Sequence, residues 1–176
     1  MTKKIYSYKN IKSCRICFSK KISNILNLGK QPLANSLRKN KKKNKIFPLK
    51  IVFCKDCKTI QLSSTINPKY LFLNYLWVTA SSTAVIKYSK FFFKKMSKYF
   101  NTKSFVLEIA SNDGTFLKLF KRRKIKVLGV DPAKNLAEKA KKNGVPTISK
   151  FFNKETSIYI KKKYGEPNLV IARNVI

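Results

Sequence analysis

The chain has 176 residues and carries 40 Lys and Arg against seven Asp and Glu, with no histidine, so its formal net charge is +33. This length is enough for one or two small domains with a buried core, and a hydrophobic content of 44% excludes wholesale disorder. The absence of histidine excludes every mechanism and every metal site in this chain that needs an imidazole.

The excess of positive charge first suggests a nucleic acid or an anionic membrane as partner. Only five of the 40 basic residues are arginine, however, and Phe, Tyr, Ile, Asn and Lys make up half of the chain. These five amino acids have AT-rich codons, so genome composition explains the lysines. Proteins that read phosphates or base edges depend mainly on arginine. We therefore expect no specific nucleic acid and no membrane as partner, while attraction to an anionic small substrate stays open.

The apolar segments contain no signal for export or for membrane insertion. The N-terminus lacks the apolar core of a secretory signal, and the longest uncharged run, residues 70–86, is short and polar for a membrane span. We expect a cytoplasmic protein, in which cysteines stay reduced and are more often metal ligands than disulfides.

The four cysteines form two Cys-x-x-Cys pairs, Cys14 with Cys17 and Cys54 with Cys57. Two intervening residues allow a tight turn, so that both sulfurs of a pair reach one ion at about 2.3 Å. Two pairs complete a tetrahedral four-thiolate site that suits Zn²⁺, leaves no open position and is therefore structural. The segment between the pairs must then fold back as strands and a turn. Redox-active thiols and a nucleic-acid-binding knuckle are the competing interpretations.

Strands alternate with helices from residue 104 onward. The predicted strands are Phe105–Ile109, Lys126–Val130, Val145–Ser149 and Leu169–Ala172, and the predicted helices begin at Thr115 and span Ala133–Asn143. Alternation of this kind indicates βαβ units, and therefore an α/β fold with a parallel sheet and right-handed crossovers.

Ligands of such a sheet bind beyond the carboxyl ends of the strands. The turn Ser111–Gly114 follows the first strand, and Asp131 ends the second, at a place where an acidic residue suits a ribose diol. The turn lacks the Gly-x-Gly-x-x-Gly pattern of a pyrophosphate clamp. The combination fits a cofactor with a ribose but no phosphate at that turn, such as S-adenosylmethionine. A Rossmann-like sheet with ordinary acidic turn residues is the alternative.

Taken in order, the motifs resemble those of the zinc-containing, S-adenosylmethionine-dependent C-methyltransferases of deoxysugar biosynthesis. The resemblance rests on the two cysteine pairs and on residues 28–37, 71–83, 107–117, 129–132, 151–152 and 172–175. It implies a zinc-binding domain over residues 1–69 and a linker or helical, substrate-facing segment over 70–103. Residues 104–176 would be the N-terminal half of a Rossmann-like class I methyltransferase domain, with the first four strands of its sheet.

The resemblance also implies roles for individual residues. The cofactor-binding candidates are Glu108, Ala110, Asn112, Asp113 and Gly114 around the methionine part, Asp131 at the ribose, Phe151 or Phe152 beside the adenine, and Arg173 and Asn174 facing the cofactor. Tyr75 is the catalytic candidate on the substrate side, with Trp77, Ser81 and Ser82 nearby. In the family, a base removes a proton from C3 of a nucleotide-linked 4-keto-6-deoxysugar and the enolate takes the methyl group.

The sequence departs from the family pattern in three places. Ala110 stands where the family has glycine, Trp77 replaces a tyrosine, and the family continues beyond Ile176, beginning with a histidine. We therefore expect a monomeric N-terminal portion that uses a nucleotide sugar and is inactive alone. A zinc ribbon that binds nucleic acid or protein, and a methyltransferase of another substrate class, including RNA, are the alternatives.

Overall fold

In a computed structural model, which describes residues 7–34, 36–37 and 45–175, the chain divides into two compact units between Leu71 and Phe72. Asn35, which belongs to the family-like segment 28–37, lies outside the described residues, as does Ile176. No helix in the described part of the chain has the length and apolar character that crossing a membrane requires.

The first unit consists of short strands around the two cysteine pairs. Its elements are β1 (Tyr8–Asn10), β2 (Ile22–Pro32), β3 (Ile46–Cys54), β4 (Ile60–Leu62), β5 (Ser64–Ile66) and the short helix α1 (Pro68–Phe72). β2, β3 and β4 form an antiparallel sheet, and β1 pairs with β5. The segment between the cysteine pairs folds back as predicted, because Ile22 pairs with Cys54 and Pro32 pairs with Ile46.

The second unit alternates strands and helices. Its elements are a 3-10 turn (Thr79–Ser81), α2 (Thr83–Met96), a second 3-10 turn (Ser97–Tyr99), β6 (Phe105–Ile109), α3 (Thr115–Arg122), β7 (Lys126–Val130), α4 (Lys134–Lys142), β8 (Thr147–Ile148), α5 (Lys154–Tyr164) and β9 (Leu169–Ala172). The strands are parallel and lie in the order β8-β7-β6-β9. This order is half of a doubly wound Rossmann arrangement, so the predicted α/β fold is confirmed.

The strands β6, β7 and β9 have the predicted bounds, whereas β8 is shorter than the predicted strand. The N–H of Val145 donates to the C=O of Ala140, near the end of α4, and Pro146 has no N–H to donate. The residues paired with β7 are therefore Thr147 and Ile148, although Pro146 O still accepts from the N–H of Gly129 at 2.8 Å. Helix α5 was not predicted from the sequence; it begins after Asn153, whose side chain accepts a hydrogen bond from the N–H of Thr156.

Two apolar layers enclose the parallel sheet. Successive strand residues point to opposite faces, so Val106 of β6 joins the layer under α3 and α4, while Phe105 and Leu107 join the layer that contains Ile160 of α5. Helix α2 packs Phe92, Phe93 and Met96 against the first layer. Much of the segment 70–103, predicted as a linker or a helical segment, is helical, and from Phe72 onward it belongs to the second unit.

Gly129 of β7 leaves room for the turn that follows β6. A Cβ at this position would lie 2.3 Å from Ser111 Oγ and 2.8 Å from Thr147 Oγ1. We predict that Gly129→Ala lowers the free energy of unfolding of the second unit by about 2 kcal/mol, because packed interiors resist added atoms. Fluorescence of Trp77, the single tryptophan, during denaturant unfolding measures the change.

Gly165→Ala is the matched control. Nothing lies within 4 Å of its Cβ position, so only its backbone conformation, with φ of +89° and ψ of −174°, opposes the change, at a cost of about 1–3 kcal/mol. Adding Ser111→Gly removes the nearest obstacle at Gly129→Ala and is expected to recover part of the loss, whereas it should not change the cost of Gly165→Ala. No recovery in the Gly129→Ala background would contradict the steric explanation.

Candidate functional site

The four cysteines of the first unit converge on one point. Their Sγ atoms all lie within 4.8 Å of one another, and Cys14–Cys57 and Cys17–Cys54 are each separated by 3.5 Å. A tetrahedral ion with Zn–S bonds of about 2.3 Å requires sulfurs about 3.8 Å apart, which lies within the range of these separations, so the cluster suits Zn²⁺. All four positions are taken by thiols, as expected for a structural site.

The two cysteine pairs adopt the same backbone turn. The N–H of Phe18 donates to Cys14 O and the N–H of Lys58 donates to Cys54 O, at 3.1 and 3.0 Å. Phe18 and Lys58 occupy equivalent positions with φ of +61° and +63°. Left-handed backbone is costly for such side chains, so the turn geometry imposed at the cluster outweighs local preference.

Gln61 of β4 supports the cluster from outside. Its Nε2 donates to Cys14 Sγ at 3.2 Å, while its Oε1 accepts from the backbone N–H and the guanidinium of Arg15 at 3.1 and 3.3 Å. Hydrogen bonds from the N–H groups of Cys17 and Ile16, together with the Gln61 amide, lower the pKa of the Cys14 thiol to about 6. Cys14 is therefore prepared to bind a metal as the thiolate.

A second site lies in the second unit, where a cavity of about 680 Å³ opens at the carboxyl ends of β6, β7 and β9. Predicted site residues in its lining are Tyr75, Trp77, Ala110, Asn112, Asp131, Arg173 and Asn174. The volume is within the usual range for small-molecule sites, and a cavity at this edge is where an α/β sheet binds its ligand.

Asp131 joins the ends of β6 and β7. Its Oδ2 accepts from the N–H of Asn112 and its Oδ1 accepts from the N–H of Ala133, each at 2.8 Å. Burial raises the pKa of Asp131, although both backbone donors oppose the shift. Each oxygen keeps a lone pair, so the carboxylate can still accept from a ribose hydroxyl in the cavity.

The turn after β6 requires left-handed backbone. Ala110 and Asn112 have φ of +52° and +53°, and Asn174 after β9 has +56°. Asparagine tolerates this conformation, but alanine does not favour it. Glycine would adopt the backbone conformation of Ala110 without strain, and the methyl group of Ala110 adds bulk to the lining of the cavity.

Glu108 and Arg173 form an ion pair beneath the cavity. Arg173 Nη2 donates to Glu108 Oε1 at 2.6 Å, and its guanidinium carbon lies 3.2 Å from the ring centre of Phe116. Burial raises the pKa of Glu108 to about 7, although Arg173 opposes the shift. Glu108 Oε2, Arg173 Nε and Ser111 Oγ are buried without a protein partner. Such orphaned polar atoms indicate that a polar ligand or water completes the site.

The remaining candidates lie outside the cavity lining. Asp113 is fully buried and accepts from the N–H and hydroxyl of Thr115, so it caps α3. Gly114 has φ of +77°, and a Cβ there would meet Val145 at 2.9 Å. Phe152 is 39% exposed, and neither Phe151 nor Phe152 lines the cavity. The proposed contact with adenine stays a prediction.

Residues 14–72 match the model of a protein family described as "Putative zinc binding domain". The chain is also 31% identical over 168 residues to C-methyltransferase NovU from Streptomyces niveus, a match that covers 93% of this chain and 40% of that relative. The resemblance to zinc-containing C-methyltransferases is confirmed. The chain spans less than half the length of the relative, so the relative's activity does not pass to it directly.

A crystal structure of a SAM dependent methyltransferase from Archaeoglobus fulgidus is similar over part of the chain. The sequence identity is 22%, the match covers 44% of this chain and 33% of that chain, and the TM-score is 0.35. A likeness of this extent does not bear on function.

Sequence reasoning missed two polar residues that the sites depend on. Gln61 contacts Cys14, and Asn135 of α4 exchanges two hydrogen bonds with the backbone of Tyr75. Gln61 lies four residues after Cys57 in the chain, which is the one local hint of its role. Asn135 lies 60 residues from Tyr75, so no local pattern predicts their contact.

Because Gln61 donates a hydrogen bond to Cys14, we predict that the wild-type cluster releases zinc more slowly than a variant without this bond. Gln61→Leu removes the amide donor at 3.2 Å and is expected to increase zinc release to a competing chelator by about tenfold. A chromogenic chelator measures the rate. Gln31→Leu is the matched control, since Gln31 is exposed and its amide donates to Leu28 O rather than to a cysteine. Equal release rates for the two variants would contradict a supporting role.

The buried carboxyl of Glu108 predicts a pH-dependent stability. The pKa of Glu108 is higher in the folded chain than in the unfolded chain. Its contribution to the free energy of unfolding is therefore complete below pH 4.5 and is lost as the pH rises towards 7. Glu108→Gln is expected to remove most of this slope, measured by denaturant unfolding of the zinc-loaded protein with Trp77 fluorescence.

Exposed Glu138→Gln serves as the charge-matched control for Glu108→Gln. The chain has no histidine, so imidazole titration does not obscure the measurement. The pKa of Asp131 is also raised, so Asp131 gives the free energy of unfolding a pH dependence of the same sign, which remains in the Glu108→Gln variant. A slope that survives unchanged in Glu108→Gln would rule out this assignment.

Proposed function

We propose that this chain is the zinc-binding and cofactor-binding portion of an S-adenosylmethionine-dependent C-methyltransferase. Its acceptor is a nucleotide-linked 4-keto-deoxysugar, and the portion alone is inactive. The observation that carries the proposal is the 31% identity to a C-methyltransferase along 93% of the chain. A match over 93% of the chain extends well beyond residues 14–72, which the zinc-binding family model covers.

The electrostatics of the cavity support a cationic cofactor. Glu108, Asp113 and Asp131 are almost completely buried; burial raises the pKa of Glu108, and the nearby charges of Asp113 and Asp131 add to this shift. Arg173 offsets one of these charges. In a chain of net charge +33, a local excess of carboxylates favours a ligand that carries a sulfonium and an ammonium group.

S-adenosylmethionine would supply an electrophilic methyl group in this cavity. Asp131 would accept hydrogen bonds from the ribose hydroxyls, and the free Oε2 of Glu108 would accept one from the amino group. Tyr75 and Trp77, which also line the cavity, would face the acceptor. The chain has no histidine, so removal of the C3 proton requires a different residue or a part of the protein beyond these residues.

The cellular setting follows the chemistry of the thiols. We propose a cytoplasmic location, because reducing conditions keep the four cysteines available as metal ligands. A monomer with a nucleotide sugar as substrate is the simplest form of the proposal, with no specific nucleic acid and no membrane as partner.

Binding of S-adenosylmethionine tests the proposal directly. We predict that the zinc-loaded chain binds the cofactor in isothermal titration calorimetry, that Ala110→Gly tightens binding several-fold, and that Asp131→Asn weakens it. Ala110→Gly also relieves a φ of +52° and is expected to raise stability by about 1 kcal/mol. Ala172→Gly is the matched control: Ala172 lines the same cavity but lies in β9, where glycine destabilises a strand.

The activity assay completes the experiment. The chain is mixed with radiolabelled S-adenosylmethionine and a thymidine-diphospho-4-keto-deoxysugar, and no methyl transfer is expected from it alone. Failure of both the wild-type chain and Ala110→Gly to bind the cofactor would overturn the proposal. Transfer by the unsupplemented chain would contradict its inactivity but support the reaction.

A further inference from the structure

The acceptor-side part of the cavity lining is an irregular segment. Residues 73–80, called here the strap, contain no strand or α-helix, and Tyr75, Trp77 and Thr79 from the strap line the cavity. A segment without regular structure has backbone N–H and C=O groups that need partners from elsewhere. The position of the strap therefore depends on the side chains that provide them.

Two of these side chains belong to the turn after β6. Asn112 Oδ1 accepts from the N–H of Thr79 at 2.8 Å, and Asn112 Nδ2 donates to Trp77 O at 3.1 Å. Asp113 Oδ2 accepts from the N–H of Ala80 at 3.2 Å. These contacts hold the end of the strap nearest to α2.

Asn135 holds the middle of the strap. Its Oδ1 accepts from the N–H of Tyr75 at 3.2 Å and its Nδ2 donates to Tyr75 O at 2.8 Å. One amide side chain thus pairs both polar groups of one residue, as a neighbouring strand would. The adjacent Lys134 N–H donates to Leu73 O at 3.1 Å, so the start of α4 contacts the strap at two residues.

The same helix start is fixed by the ribose-side carboxylate. Asp131 Oδ1 accepts from the N–H of Ala133, two residues before Asn135. Asp131, the beginning of α4, Asn135 and Tyr75 therefore form a continuous path from one wall of the cavity to the other. Asn135 does not line the cavity, so any effect it has on a ligand acts through Tyr75 and Trp77.

We propose that Asn135 is a positioning residue that holds the strap against α4 and thereby sets the acceptor-side wall of the cavity relative to the ribose-side wall. The inference rests on the proposed function for the identity of the ligands, but the positioning itself is independent of them. Asn135 is exposed, so its hydrogen bonds contribute to local geometry more than to the stability of the core.

Trp77 makes the strap directly observable, because it is the single tryptophan and its side chain is 46% exposed. Asn135→Asp preserves size and the acceptor for Tyr75 N–H but replaces the donor to Tyr75 O with a repelling oxygen. We expect a red-shifted emission of Trp77, stronger acrylamide quenching and weaker binding of S-adenosylmethionine than in the wild type, with the thermal midpoint nearly unchanged.

Asn101→Asp is the matched control, since Asn101 Oδ1 only accepts hydrogen bonds, from Lys103 N–H and the Ser104 hydroxyl, and an aspartate keeps both. Asn135→Ser, which is too short to reach Tyr75, carries the test if Asn135→Asp does not fold. Unchanged Trp77 quenching in a folded Asn135 variant would overturn the inference.

The outcomes separate this inference from the proposed function. If the wild-type chain fails to bind S-adenosylmethionine while Asn135→Asp still increases Trp77 quenching, the cofactor assignment is wrong and the positioning role stands. If the cofactor binds equally well to the wild type and to Asn135→Asp, and quenching is the same in both, the cofactor assignment stands and the positioning role is wrong.

Discussion

The cavity of the second unit depends on backbone groups that no strand or helix can satisfy. Where β6 and β7 end, the chain turns sharply, and the N–H groups of Asn112 and Ala133 point to the single carboxylate of Asp131. The side chain of Asn112 then accepts from Thr79, so each fixed turn supports the next. Because a buried N–H without a partner is costly, removing one acceptor affects the whole arrangement. Asn112 and Asp131 therefore both hold the turns in place and line the cavity.

Charge is distributed according to burial. The 40 basic residues give the chain its net charge, yet Glu108, Asp113 and Asp131, three of the seven acids, are at most 5% exposed. Among the residues that the structure describes, only Arg173 forms an ion pair with one of them, Glu108. These carboxylates are therefore concentrated inside the second unit, in contrast to the basic composition of the chain as a whole. This contrast is consistent with the cationic cofactor proposed above.

Sequence alone predicted the parts of the molecule that local patterns determine. Buried parallel strands are continuous apolar runs, so β6 and β7 have their predicted ends. The spacing of the cysteines likewise determined their cluster. Contacts between residues distant in the chain could not be predicted. Asn135 is an ordinary residue for the first turn of a helix, and no sequence pattern around it indicates a contact with Tyr75. Ala110 was recognised as unusual from the family pattern, but only its φ of +52° gives the physical reason.

Helix α4 shows which positions can follow a mutational bias and which are fixed by packing. Its exposed positions include Lys139 and Lys141, whereas Leu136, Ala137 and Ala140 are at most 1% exposed. A nucleotide bias can change a side chain that faces water with little penalty, but a lysine at Ala140 would be rejected by the core. Lineages with opposite base composition would therefore diverge on the surface first. Sequence identity over the whole chain then underestimates how closely two such lineages are related. Identity at the buried positions of this fold is the better measure of common descent.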